Sequence, residues 1–140
     1  MMRWGLALIV LLCAEAGLAE EGSVWDAIYS EAQTKVGEKL FVEQCIACHS
    51  NQPGVAGGHG PAPPVIGGDF LFRWVDSSVA DLFDVIRQTM PQAAPNSLDP
   101  QQYMDITAYV LKLNGYPAGD RPLKVEEYVA LQDIWIEEAP

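Results

Sequence analysis

The most constraining feature of this 140-residue sequence is the run Cys45-Ile46-Ala47-Cys48-His49. In a CxxCH run the two cysteine sulfurs bond covalently to the vinyl groups of a c-type haem, and the adjacent histidine is an axial ligand of the iron. One helical turn brings both thiols to the same ring and aims the next residue at its centre. The run therefore predicts one covalently attached haem c, bound through Cys45, Cys48 and His49.

Two other uses of a CxxC pair fit the sequence less well. A thioredoxin-like dithiol sits at the start of a helix after a strand, and no apolar strand precedes Cys45. A zinc site needs four ligands, and outside the CxxCH run the chain after residue 19 offers only His59 and scattered carboxylates. A structural disulfide would consume both Cys45 and Cys48. The sequence favours haem over these alternatives.

Residues 1–19 have the composition of a secretory signal peptide. A charged start at Arg3 precedes an apolar core and a small-residue exit, so we expect cleavage after Ala19, with Ala16 as the second option. The alternatives are a retained amphipathic or membrane anchor and lipid anchoring at Cys13. Export agrees with covalent haem, which is attached on the far side of a bacterial inner membrane. We therefore expect a periplasmic protein without stable membrane insertion after cleavage.

The chain is strongly acidic, with 19 Asp and Glu against 8 Lys and Arg and a net charge of −11. Nucleic acid and anionic membrane surfaces are therefore unfavourable partners. Residues 50–68 and 88–98 contrast with the rest, because they contain no Asp, Glu, Lys or Arg. We expect these two segments to border the haem and to form a neutral docking patch near Ala93, with the acids steering partners only at longer range.

Capping motifs predict three helices. They begin after Ser30, Ser78 and Asp99 and end near positions 44, 88 and 114. The aromatic stretch 70–74 is expected to line the haem pocket.

Apolar spacing predicts the buried faces. In the first helix the expected stripe is Ile28, Ala32, Val36 and Leu40, with Gly37 and Phe41 on a neighbouring face. In the tail the apolar positions are Tyr128, Leu131, Ile134 and Trp135, which predict that the tail packs back on the body.

The loop after the CxxCH run is rich in Gly and Pro and has no periodicity. Its prolines leave carbonyl oxygens free to accept hydrogen bonds. One interpretation is that Pro63 accepts a hydrogen bond from the outer ring nitrogen of His49 and so fixes its tautomer. The other is a stiff surface turn.

A second axial ligand would make the iron an electron carrier, whereas an open site would suit an enzyme or a gas sensor. Met90 is the best candidate, because it follows a helix in an uncharged stretch. Met104 lies inside a capped helix and has little freedom to cross the ring. His59 is only ten residues beyond His49, so it would have to turn around the ring edge. Packing is the other role open to Met90.

With these residues the chain resembles the small class I cytochromes c of bacteria over residues 36–119. The matching features are Gly37 with Phe41, CIACH, PPVIG at 63–67, Arg73-Trp74, TMP at 89–91 and Ala108-Tyr109-Val110. The resemblance implies an all-α class I cytochrome c fold with about four helices around one haem. It also implies that Gly37 and Phe41 pack against Tyr109, that Pro63 holds His49, and that Arg73 or Trp74 lies near a haem propionate. The lysine ring of mitochondrial cytochrome c is absent, so that protein's partners do not carry over.

The expected organisation is a signal peptide (1–19), an acidic lead-in (20–35), a cytochrome c domain (36–119) and a packed tail (120–140). We expect an electron-transfer protein rather than an enzyme, shuttling single electrons between a donor dehydrogenase, of the quinoprotein type by resemblance, and an oxidase or another acceptor. The alternatives are a tightly bound cytochrome subunit of an oxidoreductase complex and a haem enzyme or sensor with an open sixth site.

Overall fold

A computed structural model describes residues 21–52 and 62–140 of the chain. Its α-helices are α1 (Glu31–Gln44), α2 (Gly68–Trp74), α3 (Val79–Thr89) and α4 (Pro100–Leu113). No helix within these ranges is long and apolar enough to cross a membrane. The expected signal peptide, its cleavage site and His59 lie outside the described residues.

The predicted helix starts are confirmed by the capping geometry. The Ser30 side chain accepts a hydrogen bond from the backbone N–H of Gln33 at 3.2 Å. Ser78 and Asp99 each begin a helix with a reciprocal capping box, in which the residue three positions on bonds back to the cap. These caps satisfy backbone donors that a helix start otherwise leaves unpaired, so short local motifs fix where the helices begin.

The buried face of α1 differs from the predicted stripe. Ala32 is exposed and Val36 is 50% exposed. The face that packs on α4 instead consists of Gln33, Thr34, Gly37, Leu40 and Phe41. Leu40 of the predicted stripe and its predicted neighbours Gly37 and Phe41 are therefore buried as expected. Gln33 and Thr34 are polar, so counting apolar residues alone did not place them on the buried face.

Gly37 explains why α1 turns this face to α4. A Cβ atom at Gly37 would lie 1.9 Å from the carbonyl oxygen of Asp105 and 2.9 Å from Cβ of Tyr109. Only glycine allows two helix backbones to approach so closely. One turn further on, the rings of Phe41 and Tyr109 pack with their centroids 5.4 Å apart. The expected contact of Gly37 and Phe41 with Tyr109 is thus confirmed.

The stretch 70–74 forms most of α2, a helix that the capping motifs did not predict. Its start has no side-chain cap, and Gly67 precedes it with a φ of 77°. Phe70 is buried, but Phe72 is 92% exposed, so only part of this aromatic stretch faces inward.

The described residues also contain four two-residue strands, which the all-α prediction did not include. β1 (Gly22–Ser23) pairs in parallel with β4 (Ile134–Trp135), and β2 (Tyr29–Ser30) pairs in parallel with β3 (Ala118–Gly119). Two residues are too few to leave an alternating pattern in a sequence. Both pairs tie the segment before α1 to the segment after α4.

The tail lies against the helical body. Leu123, Leu131 and Ile136 are buried, and the carbonyl of Ile136 accepts from the Asp76 N–H at 3.0 Å while its own N–H donates to Ser77 at 2.9 Å. Tyr128 donates from its hydroxyl to the carboxylate of Asp84 in α3 at 2.7 Å. The tail therefore contacts the residues just before α3 and one side of α3 itself.

Candidate haem site

An apolar cleft lies where the end of α1, residues 63–65, α2, α3 and α4 meet. The predicted site residues that line it are Cys45, His49, Pro63, Arg73, Trp74 and Met90. Cys48 lines an adjoining pocket that shares Cys45, His49, Pro63 and Met90 with the cleft, and we call this adjoining pocket the mouth. All seven predicted site residues thus meet around one space.

The CxxCH run continues the winding of α1 into the cleft. The Cys45 N–H donates to Phe41 at 2.8 Å, and the His49 N–H donates to the carbonyl of Cys45 at 2.8 Å. This turn puts Cys45 and His49 in the cleft and Cys48 at its edge. Both cysteines are free thiols.

His49 is buried and oriented by a backbone carbonyl. Its Nδ1 lies 2.9 Å from the carbonyl oxygen of Pro63. Because a carbonyl only accepts, Nδ1 carries the proton and Nε2 keeps its lone pair. This is the tautomer that a histidine ligand to iron requires.

The surroundings of Cys45 do not suit a redox-active dithiol. Burial, followed by the charge of Cys48, raises the pKa of the Cys45 thiol to about 11, whereas a redox-active CxxC lowers the pKa of its attacking thiol. For zinc, residues 21–52 and 62–140 hold no group of three or more His, Cys, Asp or Glu side chains placed to share a metal ion. The donor set that remains, two thiols and one oriented imidazole beside an apolar cleft, suits covalent haem.

Met90 ends α3 in an extended conformation and lines both the cleft and its mouth. Its backbone is held on both sides: its N–H donates to Ile86 at 2.9 Å, and its carbonyl accepts from the Tyr103 hydroxyl at 2.9 Å. The same hydroxyl accepts from the Leu98 N–H at 3.3 Å, so Tyr103 bridges both ends of the loop that begins at Met90. Nothing in the sequence indicated this contact of Tyr103.

Met104, the other methionine candidate for the second iron ligand, does not line the cleft. Met104 is wholly buried in the core and lines neither the cleft nor its mouth. The competing histidine, His59, lies outside the described residues.

Arg73 and Trp74 border the cleft from α2. Among the described residues of the lining, Arg73 is the only charged one, and it forms no ion pair with the described part of the chain. A guanidinium in this position can pair with a carboxylate such as a haem propionate. Phe72, between Phe70 and Arg73, points to solvent instead.

One site residue was missed at the sequence level. The sequence predicts a helix end near position 114, but it indicates no role in the site for Asn114, which follows α4. Its side chain hydrogen-bonds to Val65 and Gly67, in the turn that carries Pro63. An asparagine at a helix end is common, so nothing in the sequence distinguished it.

Comparison with known proteins gives one finding. The family model described as cytochrome c oxidase, cbb3-type, subunit III matches residues 32–110, which run from the first turn of α1 into α4 and contain the CxxCH run and Met90. Neither the curated proteins nor the solved structures gave a match. Because the family match covers more than half of the chain, this electron-transfer haem protein belongs to the cbb3-type cytochrome c oxidase subunit III family and is a small c-type cytochrome.

Proposed function

We propose that the chain is an exported single-electron carrier with one haem c attached through Cys45 and Cys48 and ligated by His49 and Met90. The observation that carries the proposal is the apolar cleft, because it gathers two thiols, one oriented imidazole and one thioether around a single space. Haem c supplies a one-electron iron couple when bound.

The residues of the CxxCH turn have distinct roles in this proposal. Cys45 and Cys48 would hold the haem, because each thiol can add across one vinyl group, its sulfur bonding to one vinyl carbon and its proton going to the other. His49 offers Nε2, because Nδ1 is engaged with Pro63. The hydrogen bond also makes the imidazole a stronger donor.

Met90 is proposed to close the second axial position. Its thioether is neutral, and the cleft around it is apolar, so both disfavour the extra charge of ferric iron and raise the reduction potential. The hydroxyl of Tyr103 holds the Met90 carbonyl in place. A closed iron favours electron transfer over ligand chemistry.

Carbon monoxide tests this assignment. The reduced protein should show almost no spectral response, and Met90→Ala should respond fully and lose the weak far-red sulfur-to-iron absorption of the oxidised form. Met104→Leu is the matched control, since this volume-conserving change should cost less than about 1.5 kcal/mol and leave the absorption intact. A wild-type protein that binds carbon monoxide readily would favour a haem enzyme or sensor with an open sixth site.

A second candidate is a tightly bound subunit of an oxidoreductase complex. It is favoured by the matching family, whose description names a subunit of an oxidase. A free carrier would exchange electrons with a dehydrogenase and an oxidase in the periplasm by transient encounters. Purification under mild conditions from native membranes and periplasm decides between them, because a subunit remains with its complex and a carrier appears alone in the soluble fraction.

A further inference from the structure

We propose that Asn114 is a positioning residue for the His49 ligand, acting through the turn at residues 63–67 and the carbonyl of Pro63. The inference rests on the proposed role of His49 as an iron ligand and adds a residue outside the CxxCH run that controls it.

The side chain of Asn114 uses both of its functional groups. Its Nδ2 donates to the carbonyl of Val65 at 2.9 Å and to that of Val110 at 2.8 Å. Its Oδ1 accepts from the Gly67 N–H at 2.9 Å. One amide therefore joins α4 to two points of the turn.

The turn has few other polar attachments. Within the described part of the chain, no backbone–backbone hydrogen bond joins residues 62–66 to the body. The other hydrogen bond that the described residues show between this turn and the body is the one between Pro63 and His49. The position of the Pro63 carbonyl thus depends on how firmly Asn114 holds the residues that follow it.

Asn114 itself is well fixed. Its backbone N–H donates to Leu111 at 3.0 Å, and Gly115 follows with a φ of 86°, which ends α4. α4 packs closely on α1 at Gly37, and α1 leads into His49. The α1–α4 pair therefore positions both His49, through α1, and its hydrogen-bond acceptor Pro63, through Asn114 at the end of α4.

Loss of the Asn114 amide should loosen the turn and weaken the hydrogen bond at His49 Nδ1. A weaker hydrogen bond makes the imidazole a poorer donor, so ferric iron is less stabilised and the reduction potential should rise. The Nδ1 proton should also exchange with water faster, by roughly tenfold for the loss of one hydrogen bond.

The test compares Asn114→Ala with Gln33→Ala in the haem-loaded full-length protein. Gln33 is a matched control, because its amide also makes three hydrogen bonds, two to the backbone of Leu123 and one to Asp105, but none of them reaches the cleft. Both changes are neutral in charge. The readouts are His49 Nδ1 proton exchange by nitrogen-15 NMR, the reduction potential, and the thermal midpoint.

We expect both variants to lower the thermal midpoint and only Asn114→Ala to speed the proton exchange and raise the potential. If Asn114→Ala does not fold, Asn114→Ser, which keeps one hydrogen-bonding group, should show the same two shifts at smaller size. Wild-type proton exchange and potential in the folded Asn114 variant would overturn the inference, as would equal shifts in the Gln33 variant. Absence of covalent haem, or of a His49 ligand, in the wild-type protein would instead overturn the proposed function.

Discussion

Replacing Gly37 by alanine should destabilise the protein, although alanine is the better helix former. The added Cβ would lie 1.9 Å from the Asp105 oxygen, and such contacts do not fall below about 3.0 Å, so α1 and α4 would have to separate by about 1.1 Å. Moving backbone against backbone belongs at the upper end of overpacking costs, about 3 kcal/mol. The gain in helix propensity returns about 1 kcal/mol, which leaves a net loss of about 2 kcal/mol.

Chemical and thermal denaturation followed by far-ultraviolet circular dichroism measures this loss, with an expected drop in the thermal midpoint of about 8 °C. Val36→Ala on the same helix is the control, since Val36 is 50% exposed and its replacement should stay within about 0.5 kcal/mol. Wild-type stability of Gly37→Ala would refute the close α1–α4 contact. It would also remove the argument that this helix pair positions His49.

Two further predictions concern docking and pH. The described mouth of the cleft has no charged side chain, so Ala93→Glu should slow electron transfer with a native partner at all ionic strengths, since the new charge must be desolvated on each encounter. In contrast, Ala32→Glu should have almost no effect on the electron-transfer rate at physiological salt. Ala32 lies about 18 Å along α1 from the mouth, and charges are screened there over about 8 Å. Equal stopped-flow rates for both variants would exclude a neutral docking face. Burial, followed by the charge of Glu31, raises the pKa of Tyr29 from 10.0 to about 12. The Tyr29 hydroxyl therefore ionises at a lower pH in the unfolded chain than in the folded protein, and the free energy of unfolding should fall as the pH rises from 10 towards 12. Denaturation midpoints measured against pH should show a shallower fall in Tyr29→Phe, and an unchanged slope would contradict the assignment.

Local signals in the sequence were sufficient for much of the fold. Ser30, Ser78 and Asp99 marked helix starts, because a cap acts on backbone groups within three residues of itself. The CxxCH run and Met90 could be predicted as site residues from residue type and local context, and they line the same cleft and its mouth; haem ligation by His49 and Met90 is our proposal.

Features that depend on tertiary contact were not visible. The buried face of α1 was predicted only in part. Leu40 and Phe41 are buried as expected, but Gln33 and Thr34 are polar yet buried with hydrogen-bond partners, while Val36 is apolar yet exposed. Burial of a polar residue is favourable only when distant partners are present, here Leu123 for Gln33. The role of Asn114 was hidden in the same way, since its partners are about fifty residues away in the sequence.

The central claim is that this chain carries one haem bonded to Cys45 and Cys48. It is tested most directly by intact-mass spectrometry of the protein purified from a host that attaches c-type haem, followed by extraction in acidified acetone. We expect the mass of a polypeptide that begins at Glu20 plus one haem, with the haem retained after extraction and lost only when both cysteines are replaced by alanine. A mass without added haem, or haem released into the acetone, would contradict the account.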